Sequence, residues 1–288
     1  MGPTAAGKTN TALEIAPQIN GEVISADSRH VYRRMDIGTN KPTSAERAQV
    51  LHHLIDMREP NETFSLAEYV RLARSAISEI QKRGKTPLLV GGTGQYVRAL
   101  LEGWRVPEVP PHEEIRARWL QFERAHGQDQ LFAELLKLDP ASATTIDKRN
   151  VRRVIRALEV MEVTGERWSD LQRRDPIQIE TRLSYVNLPR EELYARADQR
   201  IVRMIDQGWL AECQTLLGYF GGLGHDYAAA LAMPSMSSLG YRELCAVIHG
   251  EKTLDTAIAE IKQATRRFIR MQDAWFRALA ASIPNATN

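Results

Sequence analysis

Residues Gly2 to Thr9 read G-P-T-A-A-G-K-T, a complete phosphate-binding loop placed where a helical pattern begins. The small residues Gly2, Pro3, Thr4, Ala5, Ala6 and Gly7 let backbone N–H groups approach phosphate oxygens. Lys8 adds a point charge, and the Thr9 hydroxyl can ligate Mg²⁺. The chemistry this equips is transfer of a group to or from a bound phosphate.

The remaining parts of a nucleoside triphosphatase are hard to find. Such an enzyme uses an acidic residue at the end of an apolar strand to hold its metal. The apolar run Leu88-Leu89-Val90 instead enters Gly91-Gly92-Thr93-Gly94. A second run, Val23 to Ala26, does end in a carboxylate, Asp27. Its position soon after the loop helix is the one that faces the acceptor in nucleotide-kinase-like folds. Asp27 therefore suits a general base, with a helix cap or a metal contact as the structural alternative. In GGTGQY (91–96) the glycines allow close backbone approach, and Thr93 offers a hydroxyl either to a ligand or to cap a helix.

Arginine dominates the cations, with 30 arginines against 8 lysines, although the net charge is only +2. Arg149, Arg152, Arg153 and Arg156 recur at helical spacing, as do Arg266 and Arg270 with Arg277, flanked by Lys262 and Arg267. Apolar residues fill the opposite faces. Neither row has acidic partners at i±4 within its basic core, so the rows are expected to face a polyanion such as RNA. Arg196 and Arg200 form a third pair; Arg200 can reach back over the phosphate loop, or the pair can engage Glu192 and Asp198 at the surface.

The elements that position these groups follow from periodicity. Residues 10–20 read as a helix, 21–26 as a short strand, 65–84 as an amphipathic helix and 86–92 as a buried strand. Apolar strands alternating with helices predict an α/β core with a parallel sheet. VPEVPP (106–111) breaks that pattern, and 113–174 reads as helical throughout. ETRLSYVNLP (180–189) is expected to return to the sheet, with long helices after it to Leu279, a loop at 218–227 and a frayed tail from Ser282. The expected domains are an α/β core of 1–105 and 180–288, interrupted by a helical insertion over 106–179. Only Met1 precedes the phosphate loop, so the usual first strand is expected upstream of it.

Composition excludes several classes. No run of about 18 apolar residues is present, so no membrane span is expected. No basic-then-apolar leader is visible. Cys213 and Cys245 fit neither a disulfide framework nor zinc spacing, which points to a reducing cytoplasm.

Taken with ISADSRHVYRRMDIGTNKPT (24–43), HHLIDMREPNETFSLAEY (52–69), LLVGGTGQYVRALLEG (88–103), RRVIRALEV (152–160), SMSSLGYRE (235–243) and TRRFIRMQDAWFR (265–277), the loop GPTAAGKT resembles the tRNA dimethylallyltransferase family over almost the whole chain. The resemblance implies a P-loop kinase-like fold and a cytoplasmic monomer. It implies dimethylallyl diphosphate on Gly2–Thr9 with Mg²⁺ at Thr9. The implied acceptor is the exocyclic amine of the adenine 3′ of the anticodon, in tRNAs reading codons that begin with U. Asp27, Thr93 and Arg200 match catalytic positions. Asp27, Ser28, Arg29, His30, Arg152, Arg153, Arg156, Gly240, Tyr241, Arg242, Arg266, Arg267 and Arg270 match tRNA-contact positions. His30 stands where the family usually has a polar amide, and Met271-Gln272-Asp273-Ala274-Trp275 departs from the usual Q-x-T-W block. The alternatives are an isopentenyltransferase acting on free adenylate, a small-molecule kinase using ATP, and a non-catalytic RNA-binding protein. The adenylate enzyme would need neither the helical insertion nor the arginine rows.

Overall fold

The computed structural model describes residues 1–172, 174, 181–186, 188–222, 227–282 and 286–287. The chain divides into two compact units, Met1–Arg98 with Gln178–Asn288, and Ala99–Ile177.

The first unit begins with α1 (Lys8–Gln18), β1 (Gly21–Ser25), α2 (Ser44–Gln49), β2 (His52–His53), α3 (Leu66–Lys82), β3 (Thr86–Val90) and the start of α4 (Gly94–Leu101). The three strands are parallel in the order β2-β1-β3, with Val23 opposite His52 and Ser25 opposite Val90. Val23 and Ile24 are buried, as expected for a central strand covered on both faces. Helix α3 starts at a Ser65 cap that accepts from the Glu68 N–H, and it buries Tyr69, Val70, Ala73, Ile77 and Ile80.

Parallel pairing carries the C-terminal ends of β1 and β3 to one edge, the usual ligand side of such a sheet. There Ala26 N–H donates to Val90 O at 2.7 Å and Thr93 N–H donates to Ala26 O at 3.0 Å. A Cβ on Gly91 would lie 2.1 Å from the Ala26 carbonyl oxygen, so only glycine permits this approach.

The second unit continues α4 and adds α5 (Glu113–His126), α6 (Gln128–Leu138), α7 (Val151–Thr164) and α8 (Trp168–Leu171). Leu131, Leu135, Ile146, Val154 and Leu158 form its core. Glu159, fully buried on α7, accepts from Arg116 Nε at 2.8 Å, Arg156 Nη1 at 2.6 Å and His112 N–H at 2.7 Å.

The first unit resumes with β4 (Leu183–Ser184), α9 (Arg190–Asp206), α10 (Trp209–Tyr219), α11 (Tyr227–Ala232), α12 (Tyr241–Ile248), α13 (Leu254–Ser282) and β5 (Ala286–Thr287). The expected return of 180–189 to the main sheet is corrected here. Strand β4 pairs in parallel with β5, part of the tail expected to fray, to make a separate two-stranded sheet. Its neighbouring backbone groups are taken by the chain start: the Met1 amine donates to Ser184 O at 2.8 Å and Val186 N–H to Met1 O at 2.8 Å. The expected loop at 218–227 lies outside the described residues at 223–226. Val31, Tyr32 and Met35 pack with Trp209, Cys213, Leu216, Tyr241, Leu244 and Ile261 in one apolar cluster of the first unit. Among the described residues, no helix is long and apolar enough to cross a membrane.

Candidate active site

The phosphate loop begins from a constrained turn. Gly7 takes φ 92°, and Ala5 is also left-handed at φ 65°. Helix α1 starts at Lys8 with no side-chain cap, so the orphan first-turn N–H groups and the positive helix end lie at the loop. A Cβ on Gly2 would meet the Val186 carbonyl oxygen at 2.3 Å, so the loop lies hard against the returning segment.

Two cations serve this loop. Lys8 Nζ donates to Pro3 O at 2.7 Å, and burial, opposed by Asp27 and assisted by Arg200, lowers its pKa to about 8. Arg200, from α9, donates from Nη2 to Thr4 Oγ1 at 2.6 Å. Its Nε is buried without a partner, and burial lowers its pKa although Asp27 acts the other way. The surface alternative for this pair divides: Arg196 bonds Glu192 at 2.6 Å, Asp198 is taken by Arg266, and Arg200 alone turns inward.

Asp27 stands just beyond β1. Its Oδ1 accepts from the Arg29 N–H at 2.9 Å, an Asx turn that fixes the carboxylate without a cation bonded to it. The other oxygen lies 4.0 Å from His30 Nε2. His30 Nε2 meets the Thr39 carbonyl at 3.2 Å, and Nδ1 meets Ser25 Oγ at 3.3 Å. A carbonyl only accepts, so Nε2 carries a proton. Thr93 Oγ1 accepts from the Ser28 N–H at 2.9 Å, which joins the glycine run to the Asp27 turn.

The structure thus brings the phosphate loop, Asp27, Thr93 and Arg200 into one unit, with Lys8, Asp27 and Arg200 within reach of one another's charge. It also supplies residues not anticipated. Gln272 of α13 accepts from the Thr4 N–H at 2.8 Å and donates to Gly92 O at 2.8 Å. Tyr69 and Tyr96 stack with centroids 3.8 Å apart, and burial together with nearby charges, Asp27 among them, raises both phenol pKa values. Tyr96 closes the GGTGQY run and Gln272 stands in the last block, so both were marked by position although not by role.

Thr9 is half-buried in the first turn of α1. Among the described residues no group of three or more His, Cys, Asp or Glu could cage a metal. A single hydroxyl beside a phosphate loop fits Mg²⁺, which keeps several waters and takes phosphate oxygens.

The arginine rows need correction. Arg152 and Arg153 are exposed on α7, but Arg156 turns inward to Glu159 and to Val109 O at 2.7 Å. Arg149 pairs with Asp147 and Arg277 with Asp273. Arg267 and Arg270 are exposed, Arg270 donating to Tyr194 Oη at 3.2 Å, and Arg266 is engaged by Asp198. No acidic partner sits at i±4 within either basic core, as expected, yet partners reach the rows from i−2, i+3 and a neighbouring helix, so the rows are not free to face a polyanion throughout. Gly240 and Tyr241 are not surface residues: Tyr241 is fully buried with its hydroxyl on Glu212 at 2.7 Å, and a Cβ on Gly240 would meet Trp209 at 2.2 Å. Arg242 beside them is exposed and donates to Leu231 O at 3.1 Å.

A parallel sheet with a glycine-bearing loop opening its first helix, and with two cations and a carboxylate at the same edge, is the arrangement of a P-loop kinase-like α/β protein. The family model described as IPP transferase matches residues 30–279, and the chain belongs to that family. It is 50% identical to a tRNA dimethylallyltransferase of Chloroflexus aggregans over 279 residues, 97% of this chain and 92% of that protein. It is 48% identical to one from Herpetosiphon aurantiacus, over 97% of this chain and 86% of the other. A crystal structure of a tRNA isopentenylpyrophosphate transferase from Bacillus halodurans aligns with TM-score 0.68 and 37% identity, covering 99% of this chain and 86% of that one. A eukaryotic dimethylallyltransferase acting on tRNA aligns with TM-score 0.80 and 28% identity, covering 95% of this chain and 68% of that one.

Proposed function

We propose that this chain transfers a dimethylallyl group from dimethylallyl diphosphate to the exocyclic N6 amine of the adenine 3′ of the anticodon, in tRNAs reading codons that begin with U, and releases diphosphate. The observation that carries the reading is the pair of desolvated cations at the phosphate loop. Lys8 and the unpartnered Arg200 Nε call for an anion, and Asp27 lies beside them with a carboxylate free to accept a proton. Relatives named tRNA dimethylallyltransferase at about half identity support the same chemistry.

The allylic C–O bond breaks and its electron pair leaves on the diphosphate. The amine nitrogen forms the new C–N bond and gives its proton to Asp27. Backbone N–H groups of the loop, Lys8 and Arg200 hold the leaving charge in a water-poor setting, where fixed charges act most strongly. Thr93 holds the Asp27 turn against the loop. When bound, Mg²⁺ would be held by Thr9 and supply further positive charge against the diphosphate. Arg152 and Arg153, with Arg267, Arg270 and Arg242, contact tRNA phosphates, which offsets the few kcal/mol needed to unstack the target base. A cytoplasmic monomer belongs to this reading.

The test is single-turnover transfer from labelled dimethylallyl diphosphate to an anticodon stem-loop. Asp27→Ala is expected to lower the rate by about 10²-fold or more while RNA affinity holds. Turnover of ATP without transfer overturns the reading; an unimpaired Asp27→Ala removes Asp27 as the base.

A further inference from the structure

We infer that Glu212, on α10 and far along the chain from Asp27, is a positioning residue for Asp27; the inference rests on the transferase reading above. The Glu212 carboxylate collects four donors. Its Oε2 accepts from the N–H groups of Asp36 at 2.8 Å and Ile37 at 2.7 Å. Its Oε1 accepts from Gly38 N–H at 3.1 Å and Tyr241 Oη at 2.7 Å. Three successive backbone amides closing on one carboxylate fix a loop that belongs to neither a helix nor a strand.

The packing around this clamp leaves no slack. A Cβ on Gly38 would stand 2.0 Å from Trp209 Nε1 and 2.6 Å from Tyr241 Oη. Trp209 is itself buried between Gly38 and Gly240. From the other side, Lys41 Nζ, almost inaccessible, bonds Tyr32 O at 2.6 Å, Asp36 Oδ1 at 2.7 Å and Asp56 Oδ1 at 2.6 Å. The segment 36–41 is therefore pinned at both ends.

What this segment carries is Thr39. Its carbonyl accepts the His30 Nε2 proton at 3.2 Å, and that nitrogen stands 4.0 Å from Asp27 Oδ2. The His30 ring, held also by Ser25, thus keeps Nε2 beside the second Asp27 oxygen, while the Arg29 N–H holds the first. The path from Glu212 to Asp27 runs through the 36–38 amides, Thr39 and His30, each link a hydrogen bond or a close contact. Loss of the clamp frees the Thr39 carbonyl, lets the ring tilt and alters the direction of the base. A displacement of about 1 Å at a reacting group can cost about 10²-fold in rate.

Glu212→Gln tests this, because an amide nitrogen cannot accept the two N–H or N–H and O–H donors that each carboxylate oxygen now receives. In the single-turnover assay with saturating stem-loop and dimethylallyl diphosphate, the transfer rate is expected to fall about tenfold or more. Both affinities should stay within about twofold. Introduced into Asp27→Ala, the same change should add almost nothing, since the group it positions is gone. Tyr241→Phe removes one of the four bonds and should lower the rate by about two- to threefold, which keeps the test open if Glu212→Gln does not fold. An unchanged rate in both variants, or an equal further loss in the Asp27→Ala background, overturns the inference. If the wild-type protein transfers no dimethylallyl group, it is the transferase reading that has failed, and the two failures are separate.

Discussion

Gln272 and Thr4 lie 268 positions apart, yet the Gln272 carboxamide oxygen accepts the Thr4 N–H at 2.8 Å. The same carboxamide donates its nitrogen to the Gly92 carbonyl at 2.8 Å. One side chain within the last long helix therefore fixes the spacing of the phosphate loop and the glycine run. Gln272→Ala is expected to weaken the binding of dimethylallyl diphosphate about tenfold, as two buried bonds are lost and their partners left unsatisfied. Gln272→Glu should be worse, because a carboxylate would face the Gly92 carbonyl. Calorimetric titration with a non-hydrolysable donor analogue reads both.

Donor binding is expected to be sensitive to alkali through Lys8. Burial holds its pKa at about 8 in the free protein, below the usual 10.5. It loses its proton as pH rises through about 8, so donor affinity is expected to fall above that pH. Binding of an anion favours the charged form, so complex formation near pH 8.5 should take up protons. Titration in two buffers of different ionisation enthalpy measures the uptake; no uptake would mean Lys8 is already charged. Lys8→Arg, with a guanidinium that stays protonated, should flatten the profile.

The two arginines at 153 and 156 should separate cleanly. Arg153 is exposed on α7, whereas Arg156 is bonded to buried Glu159 and to Val109 O. Arg153→Ala is expected to weaken stem-loop binding and reduce the salt slope by about 1, with little change in melting temperature. Arg156→Ala should instead lower the melting temperature, since it removes a cation from a buried carboxylate. Filter binding across salt concentrations and thermal melts distinguish the two.

Acid stability should depend on Glu22, at the far end of β1 from Asp27. Its carboxylate is almost inaccessible and accepts from His53 at 2.7 Å, Arg83 at 2.5 Å and Lys85 at 2.8 Å. Burial alone would raise its pKa, but these three bonds outweigh it and hold the value at about 2. The folded pKa is below the unfolded one, so the stabilisation is complete above about pH 4.5 and is lost as pH falls toward 2. The cations are partly exposed and screened, so Glu22→Gln should cost on the order of 2 kcal/mol at pH 7. Urea unfolding at pH 7 and pH 3 should show the difference between wild type and variant shrinking at the lower pH.

The strands at 21–26 and 86–92 and the helix at 65–84 were legible because their apolar residues recur at the period of the element, and the parallel sheet followed from their order. The phosphate loop was legible because its chemistry is local: backbone amides, a lysine and a threonine within eight residues. Tyr241 was not, since SLGYRE is polar around it, and only packing against Trp209 and Glu212 takes it out of water. The arginine rows misled for the same reason. Spacing along one helix cannot show that Asp198 comes from α9 to meet Arg266.

The phosphate loop, the carboxylate that ends β1 and the family could be read before any fold was known, since each is carried by residues close together in the chain. The places of Arg200, Gln272 and Glu212 became visible only with the packed fold. Their bonds to Thr4, Gly92 and the 36–38 amides join segments some 170 or more residues apart, whose side chains meet only once the helices have packed.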